Sequence, residues 1–115
     1  MKRITKATTN SIIKNGGATI NKRGERVVLK TGYQVSKCDL AIIDLGNFNK
    51  FALMSLMCRL EKKGEYLGVW VDNGKVYIDI SHRISTRKQA MQAGRELNQL
   101  TILRWRDGEC LVVEG

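Results

Sequence analysis

The chain is poor in the residues that usually indicate catalysis or metal binding. Proline is absent from all 115 residues, histidine occurs once, as His82, and the three cysteines form no closely spaced pair. One histidine excludes a multi-histidine metal site, and separated cysteines indicate neither a disulfide framework nor a zinc site. The HExxH, GxSxG, P-loop and GxGxxG motifs are missing too. The sequence therefore predicts a binding protein rather than an enzyme, with no catalytic residue, metal or cofactor.

Long apolar runs are also absent. No stretch approaches the roughly 20 residues that cross a bilayer, and the amino terminus lacks the apolar core of a secretory signal. We therefore expect a single cytoplasmic domain over residues 1–115, without a membrane partner, in which residues 1–15 form a flexible basic arm. A chain of this size leaves roughly a third of its unfolded surface exposed, which favours a homo-oligomer.

Acidic residues are scarce in the first third of the chain. Residues 1–37 carry one acid, Glu25, against nine bases, whereas the rest is nearly neutral. These bases are Lys2, Arg3, Lys6, Lys14, Lys22, Arg23, Arg26, Lys30 and Lys37. They supply most of the net charge of +9 and should attract phosphate groups. Lys22, Arg23 and Arg26 are the anion-binding candidates here, and a solvated face that only aids solubility is the alternative.

The strongest local pattern is the segment from Tyr66 to Ser81. Asn73-Gly74 lies between two runs rich in β-branched and aromatic residues, as in a two-residue type I′ turn. Such a turn fixes the pairs 72 with 75, 71 with 76, 70 with 77, 69 with 78, 68 with 79, 67 with 80 and 66 with 81. One face is then aliphatic, and the other carries Trp70, Tyr77 and Asp79. We expect the mixed face to bind a ligand, with the rings stacking on a base and Asp79 accepting from a hydroxyl or amine.

Flanking segments complete the predicted fold. Before the central hairpin we expect a hairpin over 18–29, an extended segment over 33–36 and a helix from Asn47 or Asn49 to Gly64. The apolar run 40–43 fits either a strand or a helical turn. After it we expect a helix from Thr86 to Asn98 and a hairpin over 101–113. The predicted class is α+β: an antiparallel β-sheet built from three hairpins, with two α-helices packed on one face.

Cations cluster where the second helix begins. His82, Arg83, Arg87 and Lys88 lie beside free backbone N–H groups that favour an anion, so Arg83 and Arg87 are ligand-binding candidates and Lys88 an anion-binding candidate. A solvated helix terminus explains the same residues. Cys58 and Cys110, in apolar surroundings, are predicted to be small core residues.

The strings GVWVDNGKVYIDIS and RELNQLTILRWRDGE carry a family resemblance. Together with the helix between them, they resemble a group of small phage and prophage proteins, many of unknown function, over about residues 64–113. The resemblance implies a mobile-element origin and the cytoplasm of an infected or lysogenic bacterial host.

The layout is also similar to the anti-Thoeris sponge proteins, which sequester a cyclic ADP-ribose-type signal without cleaving it and assemble from identical subunits. This resemblance implies that Asn98 contacts the ligand, that basic residues hold the pyrophosphate and that an aromatic ring stacks on adenine. The predicted function is therefore a phage-encoded protein that sequesters an anionic nucleotide to counter host defence. The alternatives are a basic nucleic-acid-binding phage accessory protein and an inhibitor of a host defence effector such as a CRISPR nuclease.

Overall fold

A computed structural model describes residues 4–62 and 64–113. In chain order these residues form α1 (Lys6–Asn15), β1 (Gly17–Ile20), β2 (Tyr33–Asp44), a 3₁₀ turn (Leu45–Asn47), α2 (Lys50–Met57), β3 (Glu65–Asp72), β4 (Lys75–Ile84), α3 (Arg87–Glu96), β5 (Thr101–Arg104) and β6 (Glu109–Val112). Within them, no helix is long and apolar enough to cross a membrane.

The strands form one curled antiparallel sheet in the order β1-β3-β4-β2-β5-β6, which confirms the predicted α+β class with an antiparallel sheet. Two predicted hairpins are present as β3–β4 and β5–β6. The hairpin predicted over 18–29 is reduced to a single bridge between Ile20 and Arg26. Its first strand pairs instead with β3, which offers a longer aliphatic partner, and Ala18 lies opposite Val69. The packing of two helices on one face stays a prediction.

The register of the central hairpin is confirmed. Asn73 and Gly74 have φ of 52° and 78°, as a type I′ turn requires, and every predicted cross-strand pair forms. Leu67, Val69 and Ile78 are no more than 1% exposed, so the aliphatic face is core. The two-residue turn therefore sorts the side chains as the sequence predicts.

Strand β2 resolves the ambiguous run 40–43 as extended backbone next to β4. Two register shifts interrupt this pairing, one between Ser36 and Cys38 and one between Asp39 and Ala41. Each bulge inserts one residue and reverses the alternation of side chains beyond it. The period-2 signal of a strand is lost in the sequence for this reason.

Helix α1 corrects the prediction that residues 1–15 are a flexible arm. Residues 6–15 are helical, and Ile4 and Ile12 are only 2% and 1% exposed. They pack with Leu53 of α2 and with the aliphatic face of β3 and β4. Burial of two isoleucines explains the order of this segment, and residues 1–3 of the predicted arm lie outside the described residues. Gly16, with φ of 80°, ends the helix.

Helix α3 packs against β2, β4 and β5. Thr86 caps it and Asn98, with φ of 56°, follows its last turn, as predicted. Ala90 is fully buried against Val35 and Ile102. A Cβ added to Gly94 would lie 2.9 Å from Cγ2 of Val113, so the helix approaches the end of the chain closely at this glycine.

The expectation that two cysteines are small core residues is wrong. Cys58 and Cys110 are exposed rather than core residues. Phe51 in the first turn of α2 is 69% exposed, because the helix buries Leu53 and Met57 instead. The helix ends at Met57, before the predicted stop at Gly64.

Candidate functional site

A cavity of about 360 Å³ lies on the sheet face that carries Trp70 and Asp79. Side chains from both edges and the centre of the sheet line it, and the segment Arg26 to Val28 lines one side. Because the sheet is curled, these distant strands face a common space. The cavity therefore depends on the curvature of the whole sheet.

The Trp70 indole forms part of the cavity wall and is still 50% exposed. It lies opposite Gly17 of β1 and Tyr77 of β4. A Cβ at Gly17 would lie 3.5 Å from Cε3 of the indole and only 2.6 Å from the carbonyl oxygen of Val69. Glycine thus lets β1 approach the backbone beneath the ring, and one edge of the ring stays open.

Two aspartates on neighbouring strands line the cavity, Asp79 partly buried and Asp39 exposed. Asp79 of β4 is directly opposite Asp39 of β2, and both line the cavity. Burial raises the pKa of Asp79 to about 7, and the negative charge of Asp39 adds to this effect. Among residues 4–62 and 64–113, no hydrogen bond or ion pair reaches either side chain. The pair is therefore a set of acceptors without donors.

A hydrogen-bond chain crosses the cavity lining beside this pair. The Nε1 of Trp105 donates to Oε1 of Gln34 at 3.0 Å, and Nε2 of Gln34 donates to Oγ of Ser81 at 2.8 Å. Gln34 and Ser81 are both buried. The indole N–H of Trp105 and the amide of Gln34 both donate within the protein. A ligand could accept from them only if these hydrogen bonds were broken.

The predicted site residues divide into two groups. Trp70, Asp79 and Arg26 line the cavity, and Tyr77 lies beside Trp70 without lining it. The others lie outside the lining: Lys22, Arg23, Arg83, Arg87, Lys88 and Asn98. Asn98 is exposed, whereas its neighbour Gln99 lines the cavity.

Arg83 is occupied by a structural contact. Its Nε donates to the carbonyl oxygen of Thr31 and its Nη2 to Oγ1 of the same residue, both at 2.9 Å. The guanidinium lies over Gly32, where a Cβ would be 2.8 Å from Cζ. The two hydrogen bonds from the Arg83 guanidinium therefore anchor the segment that precedes β2.

His82 does not act as one of the predicted cations. It pairs with Glu65 and Val35 across the sheet, and its Nδ1 is buried without a hydrogen-bond partner in the described part of the chain. Burial, and next the charge of Lys37, lower the pKa of this histidine. The neutral ring is therefore favoured at this position.

The sequence did not reveal Asp39, Gln34 or Trp105 as parts of the site. Asp39 lies 40 positions before Asp79, and bulges precede and follow it, so no local pattern predicts that the two are opposed. Gln34 and Trp105 are brought together by the pairing of β2 with β5. A correct strand order would have been needed to find them.

Comparison with protein-family models, with curated proteins and with solved structures found no match. The fold and the site define the class of protein by themselves: an α+β protein with an antiparallel sheet and an aromatic, carboxylate-bearing cavity on one sheet face.

Proposed function

We propose that this protein binds an anionic nucleotide in the cavity and holds it without chemical change. The observation that carries the proposal is the presence of Trp70, Asp79 and Arg26 in the lining of one cavity. These side chains offer a stacking surface, a hydrogen-bond acceptor and a cation. Base, amine or hydroxyl, and phosphate are the complementary groups of a nucleotide.

Size and shape agree with a ligand of this class. Small-molecule sites commonly enclose roughly 300–1,000 Å³, and the cavity of about 360 Å³ lies at the lower end of that range. Stacking of a base on an aromatic side chain typically contributes roughly 1–3 kcal/mol. We therefore assign the base to the side of the cavity formed by Trp70.

Charge suggests which end of the nucleotide lies where. Asp39 and Asp79 repel phosphate from their part of the lining, whereas Arg26 attracts it. Arg26 follows a turn in which Oδ1 of Asn21 accepts from the backbone N–H groups of Arg23 and Glu25, each at 2.9 Å. Lys22 and Arg23 are exposed in this ordered turn, and Arg26 follows it three residues after Arg23. The phosphate end is assigned to this basic segment.

The biological role within this proposal follows the resemblance to phage sponge proteins. A protein that binds a signalling nucleotide tightly lowers its free concentration and so prevents a host response. The resemblance implies a cyclic ADP-ribose-type signal. Assembly from identical subunits belongs to the same proposal.

Isothermal titration calorimetry with cyclic ADP-ribose, adenosine monophosphate and guanosine monophosphate tests the proposal. We expect saturable binding by at least one ligand, which is recovered unchanged after denaturation. Trp70→Ala and Arg26→Ala should each weaken binding roughly 10-fold, because they remove stacking and a charged contact. The matched controls Phe51→Ala and Arg59→Ala change exposed residues outside the cavity and should bind normally. Absence of binding across the panel would refute the proposal.

Single-stranded nucleic acid is a second candidate, and one observation favours it. Trp70, Tyr77 and Ile42 lie side by side across three strands, and they are 50%, 37% and 63% exposed. Two of these side chains are aromatic, and exposed aromatic rings on an open sheet are typical of surfaces that stack successive bases. Binding of this kind weakens steeply with salt and needs Tyr77, whereas mononucleotide binding in the cavity does not. Comparing Tyr77→Ala with Trp70→Ala at two salt concentrations separates the two.

A further inference from the structure

In the described part of the chain, the cavity lining holds two carboxylates that no hydrogen-bond donor reaches. The carboxylates of Asp39 and Asp79 have no donor among the described residues, whereas the side-chain donors of Gln34 and Trp105 are engaged with the protein. Asp79 is partly buried, so a ligand that covers its carboxylate without offering a donor is disfavoured. A ligand that fits here must therefore bring donors of its own, and it must be flat enough to lie beside Trp70.

We infer that the base recognised in this cavity is guanine, held by its N1–H and 2-amino groups on the carboxylate of Asp79. The inference rests on the proposed function and identifies the base of the nucleotide. It differs from the adenine that the resemblance to sponge proteins implies.

The donor pattern of the bases supports this choice. An ionised carboxylate has two acceptor oxygens and no donor, and it pairs best with two adjacent donors. Guanine presents two such donors on one edge. Adenine and cytosine place a ring-nitrogen acceptor next to their amino group, so one carboxylate oxygen would face a lone pair. Uracil has a single N–H between two carbonyl groups.

Gly68 and Asp39 lie on either side of Asp79 across the sheet. A Cβ at Gly68 would lie 2.6 Å from Oδ1 and 3.2 Å from Oδ2 of Asp79, so both oxygens lie against the glycine. Asp39 of β2 is paired in register with Asp79. The room left by the absent side chain at Gly68 is occupied by the Asp79 carboxylate itself, which fixes where this acceptor lies in the cavity lining.

Proton binding to Asp79 should then compete with guanine binding. The ionisable groups around this carboxylate in the cavity are Asp39 of β2, Arg26 of the preceding segment and Cys110 of β6. Tyr66 and Tyr77 lie in neighbouring rows of the same sheet face. Because the two-donor edge requires the ionised form, binding releases a proton to solvent, and affinity should increase from pH 6 to pH 8.

Guanosine and inosine monophosphates provide a matched pair of probes, because they differ only by the 2-amino group. Titration of both at pH 8 should show guanosine monophosphate binding roughly 10-fold or more tightly, since inosine leaves one carboxylate oxygen unpaired. Adenosine monophosphate should bind no better than inosine monophosphate. Lowering the pH to 6 should weaken guanosine monophosphate binding severalfold.

Variants locate the effect. Asp79→Asn should bind the two probes with similar affinity and lose the pH dependence, whereas Asp72→Asn, an exposed carboxylate of β3 outside the cavity, should behave as wild type. If Asp79→Asn unfolds, Asp39→Asn tests the same point, because removing the neighbouring charge should move the pH midpoint of binding to lower pH. Equal affinities for the two probes, a preference for adenosine monophosphate, or an unmoved midpoint in Asp39→Asn would overturn the inference while leaving nucleotide binding intact. Failure of every nucleotide to bind would overturn both.

Discussion

The carboxylate of Asp79 lies directly against the backbone of Gly68. The two residues are opposed across β3 and β4, and a Cβ added to the glycine would stand 2.6 Å from Oδ1 and 3.1 Å from Cγ. No real Cβ tolerates such an approach. The position of the acidic group in the cavity therefore depends on the absence of a side chain on the neighbouring strand.

Gly68→Ala should displace Asp79 and disturb the cavity. We expect a loss of about 1–3 kcal/mol in the free energy of unfolding, because the methyl group overpacks a buried position. Urea denaturation measures this, and nucleotide titration should show weaker binding. Gly46→Ala is the control, since no atom lies within 4 Å of its added Cβ, and it should change stability by about 0.5 kcal/mol or less. Equal stability of the two variants would contradict the packing described for Gly68.

Stability should decrease between pH 5 and pH 8 because of Asp79. Its pKa is raised from an ordinary value of 3.8 to about 7, so the native state binds a proton more tightly than the unfolded state. The resulting stabilisation is complete below pH 4 and lost as the pH rises through 7. We expect the free energy of unfolding to fall by about 1–3 kcal/mol over this range relative to Asp79→Asn.

Two other groups, His82 and Glu65, make stability increase rather than decrease with pH. The lowered pKa of His82 makes stability increase with pH up to its ordinary value of 6.5. Glu65, with a pKa lowered to about 2 chiefly by hydrogen bonds from Lys62 N–H and from Lys37, acts only below pH 4.5. Both groups are present in wild type and in Asp79→Asn, so the difference between the two urea curves isolates Asp79. A difference that does not vary with pH would rule out the raised pKa.

Arg83→Ala should loosen the segment before β2. The variant removes two hydrogen bonds to Thr31, and we expect a loss of about 1–3 kcal/mol with faster amide exchange over residues 26–32. Arg83→Lys should fail to restore protection, because an ammonium group lacks the planar fork. Arg59→Ala is the control for loss of an exposed positive charge. Unchanged exchange in Arg83→Ala would mean that the fork does not anchor this segment.

Gly94→Ala should destabilise α3 against the sheet. Alanine favours a helix interior by roughly 0.5–1 kcal/mol, but the new Cβ would meet Val113 at 2.9 Å and Ile102 at 3.3 Å. Overpacking costs about 1–3 kcal/mol, so we expect a net loss of about 1 kcal/mol. Adding Val113→Ala should recover part of this loss in a double-mutant cycle of thermal unfolding. A stabilised Gly94→Ala would show that the side chains of Val113 and Ile102 move aside at little cost.

Sequence patterns of a few residues were enough to predict the turn of the central hairpin and the starts of the helices. Asn73-Gly74 determines the register of the central hairpin, since both residues adopt the positive φ that a two-residue turn needs. Asn49 and Thr86 begin α2 and α3 by accepting from backbone N–H groups of the first turn. These features depend on neighbours in sequence: the turn and Thr86 were predicted, and Asn49 was one of the two predicted starts of α2.

Only the tertiary structure decided which residues far apart in sequence lie opposite each other across the sheet. The bulges of β2 and the pairing of β1 with β3 place Asp39 beside Asp79 and Gly17 beside Trp70. Burial of Ile4 and Ile12 turns a polar, basic amino-terminal segment into a packed helix. The sequence by itself determined the turns, the caps and the two unlike faces of one hairpin, because backbone conformation responds to adjacent residues. The cavity could not be predicted from the sequence, because strand order and sheet curvature result from packing of the whole chain.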